Sequence, residues 1–392
     1  MKVLILSVSA GFGHIKVSKS LKDFIKMQDT NNEVEIVDIL EYVSPVLNKL
    51  FTEYYLRALK YIPEIYSYLY KKEAQEATQQ SKKKKKRKNK RFKINSKEIE
   101  NKEELKISDI FNKIVLEKKL KELIEETSPD WIISTHPFIG ELLEVIEEKD
   151  ELKSKIMTIV TDYVVHPSWI STSTDYYIFP SERLSCELDT LNVDMKKVRF
   201  FGIPIDPKFN KYIDKESIYK KYKIKENRFT YLIMGGGYGI GNLEKETRLL
   251  LEWEKDCNII VICGKNKELY KTIKDIKDER IHPFEFTEDI NELMEISDII
   301  ISKPGGLTLT ECIATGVPIA IKEYLPGQEE RNVQFILNNH LGIYAKDETS
   351  FIAYLRLIKR DEDYRNKLIE SIKKIRKTDT LENIYKLLSE NI

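Results

Sequence analysis

Cysteine is scarce. Cys186, Cys257, Cys263 and Cys312 are the only four, and no two of them stand as a C-x-x-C pair. This argues against the disulfide framework of a small secreted chain and against a structural zinc site, and it fits a reducing cytoplasm. Long apolar runs are missing too. The run in "MKVLIL" is too short for a signal-peptide core or a membrane span, and no later run approaches about eighteen residues. The expectation is a protein that is soluble or rests on a membrane without crossing it. Net charge is also lacking, because 65 basic residues nearly cancel 64 acidic ones to leave +1. Two phosphate fingerprints are incomplete as well. After Gly11 and Gly13 the third glycine of G-x-G-x-x-G is replaced by Lys16, which weakens a nicotinamide reading even though Asp38 follows the second apolar run. In "GGGYGIGN", Gly235 to Asn242, Asn242 stands where a P-loop needs lysine, which excludes the usual kinase or ATPase site.

What is present is an alternation of strand and helix. The 392 residues, 41% hydrophobic, suffice for two domains with proper cores. "KVLILSVS", "VEIVDIL", "WIIS", "IMTIVTD" and "YYIF" are short β-rich runs of the first half; "TYLIMG", "NIIVICG", "DIIIS" and "PIAIKE" are those of the second. Runs of this kind separated by amphipathic helices predict parallel sheets in α/β layers. The break falls near "FGIPIDPKF", where two prolines follow Gly202, and from Asp361 the chain reads as helices only.

One stretch interrupts the first half. Leu50, Phe51, Tyr54, Ala58 and Leu59 mark one helical face, Tyr66, Tyr68 and Tyr70 follow, and then "KKKKKRKNKRFK" from Lys82 to Lys93 gathers positive charge. Tyrosines beside a lysine cluster suit an anionic membrane surface, where each basic residue contributes roughly 1 kcal/mol. Core tyrosines followed by a solvated loop would have the same composition. The run lacks interleaved stacking aromatics, so nucleic acid is not the expected partner.

The chemistry gathers at glycine turns. "SVSAGFGH" runs a strand into Gly11, Gly13 and His14, and "GGGYG" places Gly235, Gly236, Gly237 and Tyr238 after the first strand of the second half. Such turns let backbone amides approach an anion. In "SKPGGLTLTECIATGVPIAIKEYLPGQEERN", residues 302 to 332, a strand end meets a glycine turn and a short helix capped by the threonines, Thr308 among them. Amides of Gly305, Gly306 and Leu307 would suit a diphosphate, Glu311 could accept from ribose hydroxyls, and Gln328 and Glu329 could hold sugar hydroxyls. The plainer alternative makes Glu311 a solvent-facing helix residue and "PGQEE" a surface turn.

Taken in order, "LILSVSAGFGH", "PDWIISTHPF", "TIVTDYVVHPSWI", "YYIFPSE", "GIPIDPKF", "LIMGGGYGIGN" and "KPGGLTLTECIATGVPIAIKEYLPGQEERN" resemble the monogalactosyldiacylglycerol synthases and processive diacylglycerol glucosyltransferases. More distantly they resemble the N-acetylglucosaminyltransferase that completes the lipid-linked peptidoglycan precursor. The resemblance spans nearly the whole chain. It implies a GT-B fold, two Rossmann-like α/β domains facing each other across a cleft, with an acceptor-side domain over 1–204, a membrane-contact segment about 45–95, a UDP-sugar domain over 205–375, and a last helix over 376–392 that can pack back on the first domain. It further implies inverting transfer of a hexose from a UDP-sugar, a substrate and not a cofactor, to diacylglycerol or a related lipid, with no metal and no nucleic acid. The family's "GGGH" is here "GFGH", and the basic run from Ser81 to Lys93 is outside the family pattern.

Within this frame His14 is the expected base, since its imidazole titrates near neutral pH, and Asp162 is its partner or alternative. No D-x-D motif is present in the expected donor loops, so glycine amides and helix ends would receive the leaving diphosphate. By resemblance His136 in "STHPF" and His166 in "DYVVHPSW" line the acceptor side, although His-Pro pairs also mark ordinary strand ends. The expected location is cytoplasmic, peripheral on the inner face of the cell membrane. A transferase acting on another lipid-linked acceptor, a soluble UDP-sugar epimerase and a non-enzymatic nucleotide or lipid binder are the rival readings.

Overall fold

The computed structural model describes residues 1–8, 12–43, 103–149, 152–325 and 327–391, with the backbone alone at 12, 103–114 and 328. The tyrosine and lysine segment expected to contact a membrane, about 45–95, lies outside the described residues, as does Gly11. The chain divides into two compact units, Met1–Pro204 with Thr380–Ile392, and Ile205–Asp379.

In the first unit the strands are β1 (Lys2–Ser7), β2 (Glu33–Asp38), β3 (Trp131–Ser134), β4 (Lys155–Ile159), β5 (Tyr176–Ile178) and β6 (Val198–Arg199). Its helices are α1 (Phe12–Gln28), α2 (Ile39–Val43), α3 (Glu103–Thr127), α4 (Pro137–Glu147) and α5 (Ser185–Thr190). All strand pairs are parallel, in the order β2-β1-β3-β4-β5-β6. Leu4, Leu6 and Ile132 pack with Leu120 of α3 and Ile139, Leu142 and Ile146 of α4. Each such fully buried side chain contributes about 1.5–3 kcal/mol, which is why continuous apolar runs settle as central strands.

In the second unit the strands are β7 (Phe229–Met234), β8 (Cys257–Ile262), β9 (Ile281–Phe284), β10 (Ile299–Ser302), β11 (Ile319–Ile321) and β12 (Gly342–Tyr344). They form a second parallel sheet in the order β12-β11-β10-β7-β8-β9. The helices are α6 (Lys215–Tyr222), α7 (Leu243–Trp253), α8 (Lys267–Lys274), α9 (Ile290–Glu295), α10 (Gly306–Thr315), α11 (Gln328–Asn338), α12 (Glu348–Arg360) and α13 (Glu362–Ile375). Tyr231, Ile233, Ile259 and Val261 pack with Leu250 of α7 and Phe351 and Leu355 of α12.

A last helix, α14 (Thr380–Ser389), belongs to the first unit. Trp131 Nε1 donates to the Leu388 carbonyl at 3.2 Å, Thr380 Oγ1 donates to the Phe201 carbonyl at 2.6 Å, and Tyr176 donates to Asn391 Oδ1 at 3.1 Å.

The nine apolar runs read from the sequence are all strands, and β6, β9 and β12 are additional to them. Each of the three is an edge strand. They are two to four residues long and broken by Arg199, by His282 and Pro283, and by Gly342, so "VR", "IHPF" and "GIY" show no continuous apolar signal.

Both sheets reverse their order at one place. The chain fills β2 on one side of β1 and then starts again on the other side with β3; in the second unit it fills β8 and β9 and then returns to the other side of β7 with β10. Loops leaving the carboxyl ends at such a reversal diverge and leave a crevice, the usual ligand position in an open α/β sheet.

Candidate active site

At the reversal of the first sheet, α1 follows β1 and carries His14, while Thr135 follows β3 and presents its carbonyl. His14 Nδ1 lies 2.6 Å from the Thr135 carbonyl oxygen. A carbonyl only accepts, so Nδ1 carries the proton and Nε2 keeps its lone pair. Thr161 Oγ1, just past β4, lies 3.1 Å from the same Nδ1, and Ser18 Oγ donates to the His14 carbonyl at 2.9 Å. Burial lowers the proton affinity of His14 below the ordinary histidine value; the charge of Asp162 and the Thr135 carbonyl oppose that shift. Asp162 is itself buried, at 3% exposure.

His136 adjoins this group, its ring meeting that of His14 edge-on with centroids 4.8 Å apart. Its Nδ1 accepts from the Phe138 N–H at 3.2 Å, making it the N-cap of α4 with Pro137 at the first helical position. The opposite tautomer follows, with the proton on Nε2. Burial, and after it the neighbouring His14, hold its proton affinity well below the usual value. His166 is fully buried and caps the short helical turn Pro167–Trp169, its Nδ1 accepting from the Ser168 N–H at 3.2 Å with Ser168 Oγ 2.7 Å away. Both His-Pro pairs therefore start helical turns, a local role their sequence permits but does not announce. Asp38 does the same for α2, accepting from the Leu40 and Glu41 amides.

At the reversal of the second sheet the groups are backbone. The Gly235 carbonyl accepts from Ile240 N–H at 2.9 Å, Gly236 from Gly239 at 3.1 Å and Gly237 from Lys265 at 3.0 Å. A Cβ on Gly239, whose φ is +62°, would sit 2.0 Å from the Cys263 carbonyl, so this turn closes against the loop after β8 only with glycine there. Tyr238 is 37% exposed beside it.

Next door, Ser302 Oγ donates to the Met234 carbonyl at 2.9 Å, tying the end of β10 to the end of β7. Gly305 is the N-cap of α10, and no side chain caps the helix. The expectation of a threonine cap is corrected here: Thr308 and Thr310 lie inside the helix, and Thr310 Oγ1 donates back to the Gly306 carbonyl at 2.8 Å. A Cβ on Gly305 would meet nothing within 4 Å, so the amides of Gly306 and Leu307 begin a helix at an open end. Glu311 is buried in the second turn, at 4% exposure, which removes the solvent-facing alternative.

The helix α11 begins at Gln328, whose side chain is not described. Glu329 Oε2 accepts from the Leu325 N–H at 2.5 Å and so holds the preceding loop. Asn332 Nδ2, fully buried, donates to the Pro304 carbonyl at 2.8 Å and joins α11 to the turn before α10. Asn242 Nδ2 reaches both carboxylate oxygens of Glu323, at 2.7 and 2.9 Å, which joins the first turn to the loop after β11.

Thr135, Thr161, Asn332 and Glu323 were not among the expected site residues. Asn332 ends the motif "PGQEERN" and was visible there; Thr135 acts through its main chain, which no residue pattern reveals. Among the described residues no group of three or more His, Cys, Asp and Glu side chains is arranged to hold a metal ion.

Residues 89–205 match the family described as monogalactosyldiacylglycerol (MGDG) synthase, and residues 231–381 match the glycosyltransferase family 28 C-terminal domain. A processive diacylglycerol beta-glucosyltransferase of Bacillus pumilus is 29% identical over 100% of this chain and 94% of its own length. Over its whole length the chain is similar to the processive diacylglycerol beta-glucosyltransferases. Its fold is GT-B, shared with the MurG of Acinetobacter baumannii at TM-score 0.62 and 13% identity, over 99% of both chains. A UDP-GlcNAc 2-epimerase of Neisseria meningitidis bound to UDP-GlcNAc shares it too, at TM-score 0.60 and 13% identity over the whole of both chains. Fold alone therefore does not separate transferase from epimerase; the two family matches do.

Proposed function

We propose that this glycosyltransferase moves a hexose from a UDP-sugar to the hydroxyl of diacylglycerol, or of a glycosylated diacylglycerol, with inversion at the anomeric carbon. The observation that carries the reading is the tautomer of His14: held at Nδ1 by the Thr135 carbonyl, it offers an unprotonated Nε2, and burial keeps it so at neutral pH. The acceptor oxygen gives its proton to Nε2 as it bonds to the anomeric carbon. The bond from that carbon to the diphosphate oxygen breaks, and its electron pair leaves with UDP.

The leaving charge needs a receiver. The amides of the Gly235–Tyr238 turn and of Gly306 and Leu307 at the uncapped start of α10 are fixed dipoles suited to it, and they need no reorganisation as charge develops. The buried carboxylate of Glu311 would meet the ribose hydroxyls, and the start of α11, Gln328 and Glu329, the sugar. UDP-sugar enters as substrate, not as resident cofactor.

No helix among the described residues is long and apolar enough to cross a membrane. The acceptor is a membrane lipid, so the reading places the enzyme on the cytoplasmic face of an anionic bilayer, held by the tyrosine and lysine segment. The test is mass spectrometry of lipids formed from diacylglycerol vesicles with UDP-glucose or UDP-galactose. A hexosyl-diacylglycerol is the expected product. An epimerised sugar nucleotide formed without lipid, or UDP binding with no UDP release, would overturn the transferase reading.

A further inference from the structure

At the first reversal stand two imidazoles of opposite tautomer, and the proposed transfer uses only one. His14 presents a lone pair at Nε2; His136, whose Nδ1 is occupied by the Phe138 amide, presents an N–H at Nε2. Both residues are partly buried, and their ring centroids are 4.8 Å apart. An acceptor whose hydroxyl reaches His14 therefore passes beside a neutral hydrogen-bond donor that cannot take its proton without losing the cap of α4.

We infer that His136 is a specificity-determining residue whose Nε2–H donates to a second oxygen of the acceptor, beside the hydroxyl being glycosylated. In a diacylglycerol the second oxygen is the ester carbonyl on the neighbouring carbon. In a glycosylated diacylglycerol it is an adjacent sugar hydroxyl. A dialkylglycerol has the same hydroxyl and the same chains, but its ether oxygen is a poorer acceptor. The site thus favours polyoxygenated acceptors and discriminates against bare alcohols, by the rule that a donor built for a partner is left unpaired without it. The inference rests on the transferase reading above and names one feature of its acceptor.

His14 on α1 feels the charge of Asp162 after β4, and His136 before α4 feels that of His14. Asparagine at 136 keeps a side-chain acceptor for the Phe138 amide and adds no charge to this group, while its short amide does not reach as far as an imidazole Nε2–H. The test uses the full chain with UDP-glucose, and in parallel UDP-galactose, on anionic vesicles of one composition carrying either 1,2-diacylglycerol or 1,2-dialkylglycerol. UDP release is followed at several acceptor densities, and kcat/KM is compared as a ratio of the two lipids.

The unsubstituted enzyme is expected to favour the diester roughly tenfold, and His136→Asn to bring the ratio near one with an unchanged melting temperature. Equal loss on both lipids would make His136 only a cap and overturn the inference. A ratio near one before substitution would overturn it as well. No transfer to either lipid by the unsubstituted enzyme would instead overturn the transferase reading, and this role with it.

Discussion

The two units share a plan and differ in what fills it. Each is a parallel six-stranded sheet whose order reverses once, and each places its candidate groups in the loops and helix starts at that reversal. In the first unit the groups are side chains, His14, His136, Thr161 and Asp162, tuned by burial and by one main-chain carbonyl. In the second they are mainly backbone, at Gly235 to Tyr238 and at the open start of α10. The difference follows from the tasks proposed for them. A proton needs a group whose affinity can be tuned, whereas a diphosphate needs several fixed dipoles close together.

His14→Ala removes the tuned group, and it should lower kcat by about a hundredfold or more while UDP affinity by calorimetry stays nearly unchanged. Near-normal turnover would end the contrast between the units. Gly239→Ala strikes the other side. Its Cβ would meet the Cys263 carbonyl at 2.0 Å in a backbone with φ +62°, so denaturation should show a loss of about 2 kcal/mol or more. An undiminished stability would mean that the turn does not close as described.

Gly305→Ala separates binding from folding. The added methyl has open space and an ordinary φ of −66°, so the melting temperature should hold, while UDP affinity should fall roughly tenfold because the methyl stands at the helix end. Unchanged affinity would move the diphosphate elsewhere. The smallest effect is expected at Asp162. Its charge raises the proton affinity of His14, so Asp162→Asn should lower it further. The acid limb of the kcat/KM profile should then move to lower pH, since the neutral base survives into more acidic solution. A shift to higher pH would contradict that electrostatic role.

Much of this was readable before any coordinates. Nine strands announced themselves as apolar runs, and glycine turns stood out after "LIMG" and before "LTLTE". The three further strands escaped because they are short and broken by Arg199, by His282 and Pro283, and by Gly342. The threonine cap was misread because "GGLTLT" does not say which residue first turns helical, and Gly305 does. His136 and His166 were seen as pocket candidates but not as caps, since Nδ1 bonding to an amide two residues on is geometry and not composition.

As a string of residues, the chain already committed to its strands, its glycine turns and its candidate base, because burial and backbone freedom belong to short stretches. Folding alone decided which strand ends became neighbours. The carbonyl that sets the His14 tautomer comes from a residue 121 positions away, and the amide that binds Pro304 comes from 28 positions along. Such partners are brought together by strand order, and strand order is a property of the whole sheet.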